Sequence, residues 1–463
     1  MALPTRSIFI CATLLALSLG CQGGGEQAET QAEATSTSTS TGTETGTADP
    51  LGPTFWQDVA PIYYERCVNC HSEGAIGPFA LDSYEAAASS AELSAEAVEA
   101  GVMPPWSILD DGSCNDWQYS QALSEAEIAT IRAWVEAGTP EGEPRDDLEP
   151  PSPPALTGLT TLTTPEFFPE PQGGPLIGES EYRCFMIDPG LSEDMFLTGY
   201  QVEPQNPALV HHVIAASFDP AALTEGGLTN LESLTALDAE SPDRLGWPCY
   251  AIDEGASLDM LPVVWGPGQA PVELPANSVA LLPAGRMFIV QVHYNLELAA
   301  LLGQSDSTSV GLRLAPEVEV EGRFDVFLGL IRTLLLGEPY AIPGGEAAHE
   351  FTTVLPGELY GGWIGNEPLD LWGFFPHMHE RGVSVRARVL DGQGEEVACL
   401  GEVPRYDFDW QHYYLLEQPI PFETDYKVEL TCTYDTSEDA GPTLPGWGTN
   451  NEMCFMGLYL TRR

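Results

Sequence analysis

At 463 residues with 43% apolar side chains, the chain can bury cores in roughly two to four domains, which excludes a protein disordered throughout. Seventeen basic against sixty-nine acidic residues leave a net charge of −52, which excludes electrostatic binding of nucleic acid or of an anionic membrane surface. Such a surface suits a soluble extracytoplasmic protein.

The N-terminus reads as an export signal over residues 1–21, with Arg6, an apolar run from Ile8 to Leu19, and LSLGC ending at Cys21. The run is too short to span a bilayer as a helix. The small residue before Cys21 resembles a bacterial lipobox, with Ser18 where that pattern usually has Leu. The resemblance implies lipid attachment at Cys21 in the envelope of a bacterium, periplasmic or outer-membrane, with membrane contact through the anchor alone. Residues 22–52, with STSTSTGTETGT at their centre, are a polar low-complexity tether. An oxidising compartment permits disulfides, and ten cysteines less Cys11 and Cys21 leave eight to place.

The next segment contains CVNCH at residues 67–71. Two thiols two residues apart can each form a thioether to a haem vinyl group, and the adjacent His71 supplies an iron ligand. A structural zinc site would need further Cys or His nearby, and a thioredoxin-like pair would need a βαβ pattern; neither is present. Residues 53–147 resemble a small all-α cytochrome c-like domain. Thr54 with Gln57, and Ser124 with Glu127, form capping-box patterns, the second opening a helix that stops at Gly138. Met103, on the proline-fixed loop GVMPPW, resembles the sixth iron ligand of that family; the alternative is a methionine of the core. Cys114 and Cys399 have no assigned role or partner.

A proline-rich linker at 148–156 follows. Beyond it, short β-branched and aromatic runs alternate with turn residues, a pattern that predicts antiparallel sandwiches. Four stretches carry chemistry: VHHVIAASF at 210–218, FIVQVHYNLE at 288–297, GFFPHMHERG at 373–382 and NEMCFMGLYL at 451–460. His377 and His379 stand at i and i+2, so in an extended strand both rings project the same way and can share a metal ion. His293 sits on a strand with Ile289 and Gln291 on its own face. His211 and His212 are adjacent and would face opposite ways in a regular strand; convergence on one ion requires a bulge, strong twist or different ring nitrogens. Isolated His349 and His412 are read as structural or surface residues.

In order and context HHV, QVHYN, HMH and EMC resemble the copper type II ascorbate-dependent monooxygenases, the family of the peptidylglycine α-hydroxylating and dopamine β-monooxygenases. The resemblance covers residues 157–463 and implies two all-β, jelly-roll-like sandwiches over 157–320 and 321–463. It implies two copper ions, one on His211, His212 and His293 and one on His377, His379 and Met453, the last three being catalytic. It further implies disulfides Cys184–Cys249 and Cys432–Cys454, and gives Gln291 a supporting place beside the first site. Independently, a thioether favours Cu(I), which suits a copper that must be reduced before meeting oxygen.

The reading is an exported copper monooxygenase that hydroxylates a C–H bond of a small organic substrate with O2. A covalent haem c would be its electron donor or relay, and ascorbate, another small reductant or a redox partner protein the other sources. The alternative is a non-catalytic haem and copper electron-transfer or copper-binding lipoprotein. Peptidylglycine enzymes carry an arginine two residues before HxH and a tyrosine four residues after the ligand Met; here those positions are Phe375 and Gly457. Without the carboxylate clamp, a neutral or apolar substrate is favoured, because nothing offsets the desolvation of an unpaired carboxylate.

Overall fold

The structure is a computed structural model whose chain divides into Met1–Ala48 and Asp49–Arg463. It describes residues 52–463 apart from 74, 76, 152–154, 173–179, 225, 250, 251, 253, 276, 277, 297–300, 318, 319, 336, 357–365, 409 and 447–450. The export signal, Cys21 and nearly all of the tether therefore lie outside the described residues. Among those described, no helix is long and apolar enough to cross a membrane.

A helical segment comes first. A π-turn at Phe55–Val59 runs into helix Ala60–Arg66, followed by Tyr84–Ser89, Ala91–Glu99 and Glu125–Glu136. Phe55, Tyr63, Val98, Ile131 and Trp134 interlock as its own small core. The Ser124 box forms as the sequence predicts: Glu127 N donates to Ser124 Oγ at 3.2 Å, and Ser124 N donates to the Glu127 carboxylate at 2.7 Å. The Thr54 box does not form. The first turn is a π-turn, and Thr54 Oγ1 donates instead to Gln57 Oε1 at 2.6 Å while Asp58 takes the Thr54 N–H.

The rest is β-structure built on one long sheet. Its nine strands run, in hydrogen-bonding order, Leu159–Thr163, Ser309–Ala315, Met195–Glu203, Ser278–Leu282, Val320–Leu328, Phe455–Arg462, Leu369–His377 and Tyr414–Phe422, with Val272–Glu273 paired beside Met195–Glu203. A five-stranded sheet packs on one half: Trp247–Pro248, Ser180–Ile187, Met287–Asn295, Val210–Phe218 and Leu258–Trp265. A four-stranded sheet packs on the other: His349–Pro356, Lys427–Tyr434, Gly382–Leu390 and Glu396–Val403. Val213, Val290, Val292 and Leu312 fill the first core, and Leu371, Phe374, Val385, Leu430 and Leu458 the second. The two halves thus share a sheet, joined where Val320–Leu328 runs parallel to Ser278–Leu282 and antiparallel to Phe455–Arg462. Helix Asn230–Ala239 interrupts the first half and opens on a full Thr229/Glu232 capping box.

The helical segment is bolted to this β-structure rather than hung on its linker. Cys114 and Cys399 form a disulfide. Leu109 N donates to Glu402 O at 2.7 Å, Gln118 N to Leu415 O at 2.8 Å and Glu417 N to Asp116 O at 3.0 Å. Ile108 and Trp117 are buried in the second core. On the first half, Asn69 and Gln121 both donate to Gly268 O, at 3.3 and 3.1 Å. Cys114 and Cys399 therefore have a role that the sequence did not disclose, and a partner each.

Candidate metal centres

Two neighbouring strands of the five-stranded sheet build the first centre. Register between Val210–Phe218 and Met287–Asn295 passes from Val210↔Tyr294 to His212↔His293, leaving His211 in a bulge. The extra residue turns both adjacent imidazoles to one side, the distortion two consecutive histidines require. His211 Nδ1 lies 3.2 Å from His212 Nδ1, which lies 3.3 Å from His293 Nδ1. All three residues offer ligand atoms within 4.8 Å of one another, a spacing at which one cation sits roughly 2 Å from each nitrogen. His293 stacks on Tyr182 at 4.0 Å and 8°. Burial first, then the neighbouring imidazoles, push the pKa values of His212 and His293 well below the ordinary range. His212 and His293 are therefore neutral at pH 7, the state that binds a metal ion. The Gln291 amide donates to Cys249 O at 3.3 Å, beside the Cys184–Cys249 disulfide.

Strand Leu369–His377 delivers the second centre at its end. His377 closes the strand, Met378 is buried behind it with its N–H and C=O both held by Tyr406 Oη, and His379 follows in a turn closed by Gly382 N. The two imidazoles lie 5.1 Å apart, centre to centre, on the same side. Each Nδ1 is already engaged, His377 with Gln411 Oε1 at 2.7 Å and His379 with Asn451 O at 3.0 Å. Both rings are therefore Nδ1–H tautomers, in which Nε2 is the acceptor nitrogen. Burial lowers the His377 pKa, against the Gln411 contact that raises it.

Met453 precedes the strand Phe455–Arg462 and is buried. Its carbonyl accepts from Tyr434 Oη at 2.9 Å, and the next residue is tied to Cys432 by a disulfide. Its N–H donates to Glu452 Oε2 at 3.2 Å, and His379 N donates to that same oxygen at 3.0 Å. Sequence reasoning passed over Glu452, which lies inside EMC but offers no ligand pattern. It also passed over Gln411, 34 residues from His377.

His377 lies close enough to His212 for a charge on one ring to depress the pKa of the other. Phe375 and Gly457, the two departures from the peptidylglycine pattern, are register partners on adjacent strands. A Cβ at Gly457 would sit 3.3 Å from that of Phe375, and Phe375 stacks on Tyr413 at 6.0 Å and 10°. The wall beside His377 is thus aromatic where a clamp would be charged. His412, by contrast, is buried against Trp106 and Tyr414 and away from either imidazole pair, as a structural residue. His349 bridges Glu346 and Tyr340 at the surface.

In the helical segment, Cys67 and Cys70 are free thiols, and burial pushes their pKa values up to about 12 and about 11. His71 Nδ1 donates to Phe79 O at 2.9 Å, leaving Nε2 as the open nitrogen. Gly77 is needed beside it, since a Cβ there would fall 2.6 Å from His71 Nδ1. Met103 packs against the same core as Cys67. Two unpaired thiols beside an oriented imidazole in CVNCH are the donors that a covalently held haem would require.

Comparison with known proteins agrees with the β-structure. Residues 331–461 match the family model described as copper type II ascorbate-dependent monooxygenase, C-terminal domain. DBH-like monooxygenase protein 1 of Mus musculus is 26% identical over 228 residues, which are 46% of this chain and 35% of the relative. The chain thus matches about a third of that relative's length. Among solved structures, infectious bursal disease virus of the Gt strain aligns over 67% of this chain and 74% of its own, at 10% identity and a TM-score of 0.17. The Gx strain gives 70%, 75%, 10% and 0.17. Likenesses so slight carry no argument about this fold.

Proposed function

We propose that the protein is an exported, lipid-anchored copper monooxygenase that hydroxylates a C–H bond of a small neutral substrate with O2, and that its helical segment carries a covalent haem c serving the coppers with electrons. The observation that carries the reading is the pair of histidine centres with opposite nitrogen presentation, one of them inside the stretch that matches the copper-domain model.

Copper held at these centres would supply one-electron redox steps and the activation of O2. The chain supplies the rest. His211, His212 and His293 would bind through Nδ1, and the bulge at His211 spares the ion any need to distort the strand. His377 and His379 would bind through Nε2, since the protein occupies each Nδ1 and so fixes both tautomers. Met453 adds a soft donor that favours the reduced ion. Phe375 and Tyr413 offer a substrate an apolar, water-excluding face and no partner for a carboxylate. In the helical segment Cys67 and Cys70 would hold the haem and His71 Nε2 its iron.

Substrate-dependent oxygen uptake by copper-loaded, haem-matured protein, assayed against neutral and carboxylate-bearing compounds, tests the reading. Uptake with neutral compounds is expected. Electron transfer without any substrate-dependent uptake would favour the carrier reading, and haem that extracts freely into acid-acetone would remove the haem assignment.

A further inference from the structure

We infer that Glu452 is the positioning residue that assembles the second centre, fixing the thioether of Met453 relative to the two imidazoles through its carboxylate. The inference rests on the proposed assignment of Met453 as a ligand.

Glu452 is fully buried, and the guanidinium of the nearby Arg381 is paired with Asp439. The two carboxylate oxygens of Glu452 collect three backbone N–H groups. Oε1 accepts from Arg381 at 2.8 Å; Oε2 accepts from His379 at 3.0 Å and from Met453 at 3.2 Å. These donors belong to two pieces of chain more than seventy residues apart: the turn after strand Leu369–His377 and the entry to strand Phe455–Arg462. The ladder between those strands ends at His377↔Phe455, so beyond that pair no sheet hydrogen bond holds His379 to Met453. The Glu452 carboxylate takes over where the ladder stops.

Its neighbours act in the same direction. The carbonyl of Asn451 holds the His379 ring, and the Glu452 backbone is itself pinned, with N donating to Leu444 O at 3.1 Å and O accepting from Gly446 N at 3.2 Å. Three consecutive residues thus orient the imidazole, fix its backbone and present the sulfur. An anionic or neutral carboxyl can accept three N–H groups; an amide cannot, because its NH2 end is a donor. Glu452→Gln has nearly the same shape but sets a donor against at least one of the three N–H groups, so turn and strand entry part while the Cys432–Cys454 disulfide still holds the fold together.

The test is Cu(I) loading of full-length wild type and Glu452→Gln, read by X-ray absorption for a sulfur neighbour and by competition with a Cu(I) chelator for affinity. Wild type is expected to show the sulfur. The variant is expected to lose it, with Cu(I) affinity at the second centre falling about 10- to 100-fold, the range typical of lost support behind a metal ligand, while the first centre keeps its copper. Absence of sulfur in wild type would sink the Met453 assignment itself. Sulfur retained in Glu452→Gln at unchanged affinity would overturn the positioning role alone. A variant that also empties the first centre would overturn it too, by showing that Glu452 holds the fold rather than the site.

Discussion

The two histidine centres solve one problem by opposite means. In the first, two paired strands carry all three rings, and their Nδ1 atoms face one another with only a bulge to bring them together. In the second, the rings stand at and just past a strand end, and side-chain and backbone acceptors contributed from residues 411 and 451 to 452 hold them. A centre built within a sheet needs little outside support because the ladder supplies it. A centre built at a sheet's edge needs a surrounding scaffold, and so exposes more residues to mutation.

The largest expected effect separates the centres outright. Met453→Ala should abolish substrate-dependent oxygen uptake while the first centre retains copper, measured by metal content and turnover; undiminished turnover would make Met453 a packing residue. His293→Ala should halve the copper bound, leaving the His377 centre loaded, because the trio then has two rings and no substitute acceptor from the scaffold. Retention of both coppers would show that the trio is not a metal site.

Gln411→Leu sharpens the comparison at lower cost. It frees His377 Nδ1 and with it the tautomer, so copper affinity at the second centre should fall about 10- to 100-fold with the first unchanged; an equal fall at both would contradict the separation of scaffolds. The smallest effect concerns a histidine in neither centre. Burial lowers the His412 pKa to about 4. Between the unfolded value near 6.5 and that value the unfolded chain binds the extra proton, so stability is lost as pH falls through this window. Replacing His412 with Leu should therefore flatten the stability profile between about pH 6.5 and 4 in thermal unfolding, and an unaltered acid slope would count against a buried neutral imidazole.

What could be read in the sequence was local. Adjacent histidines that share one ion require a bulge, strong twist or different ring nitrogens whatever the fold, and a bulge is found at His211. HxH spacing dictates convergence because side chains alternate along an extended chain. The Ser124 box announces its own helix, and Thr229 with Glu232 announced another that the scarcity of helical periodicity concealed. What escaped was long-range. Nothing near Cys114 marks a partner 285 positions away. Gln411 meets His377 only once Tyr414–Phe422 has paired with the strand that bears it. The sharing of one sheet by both halves depends on the parallel pairing of Val320–Leu328 with Ser278–Leu282, and alternation of side chains looks the same in either direction.

The Cys114–Cys399 bond also has a consequence for biosynthesis. Its first sulfur is synthesised 285 residues before its second, and the bond can close only when strand Glu396–Val403 exists to receive it. Through that interval Cys67, Cys70 and Cys114 are three thiols on one nascent segment. Premature pairing of Cys114 with either of the others would leave Cys399 without its partner and, on the proposed reading, deny a haem one of its anchors. On the proposed reading the order of events in maturation follows from connectivity: occupation of the CVNCH pair would come first and closure of the long bond last, with the β-structure serving as the clock between them.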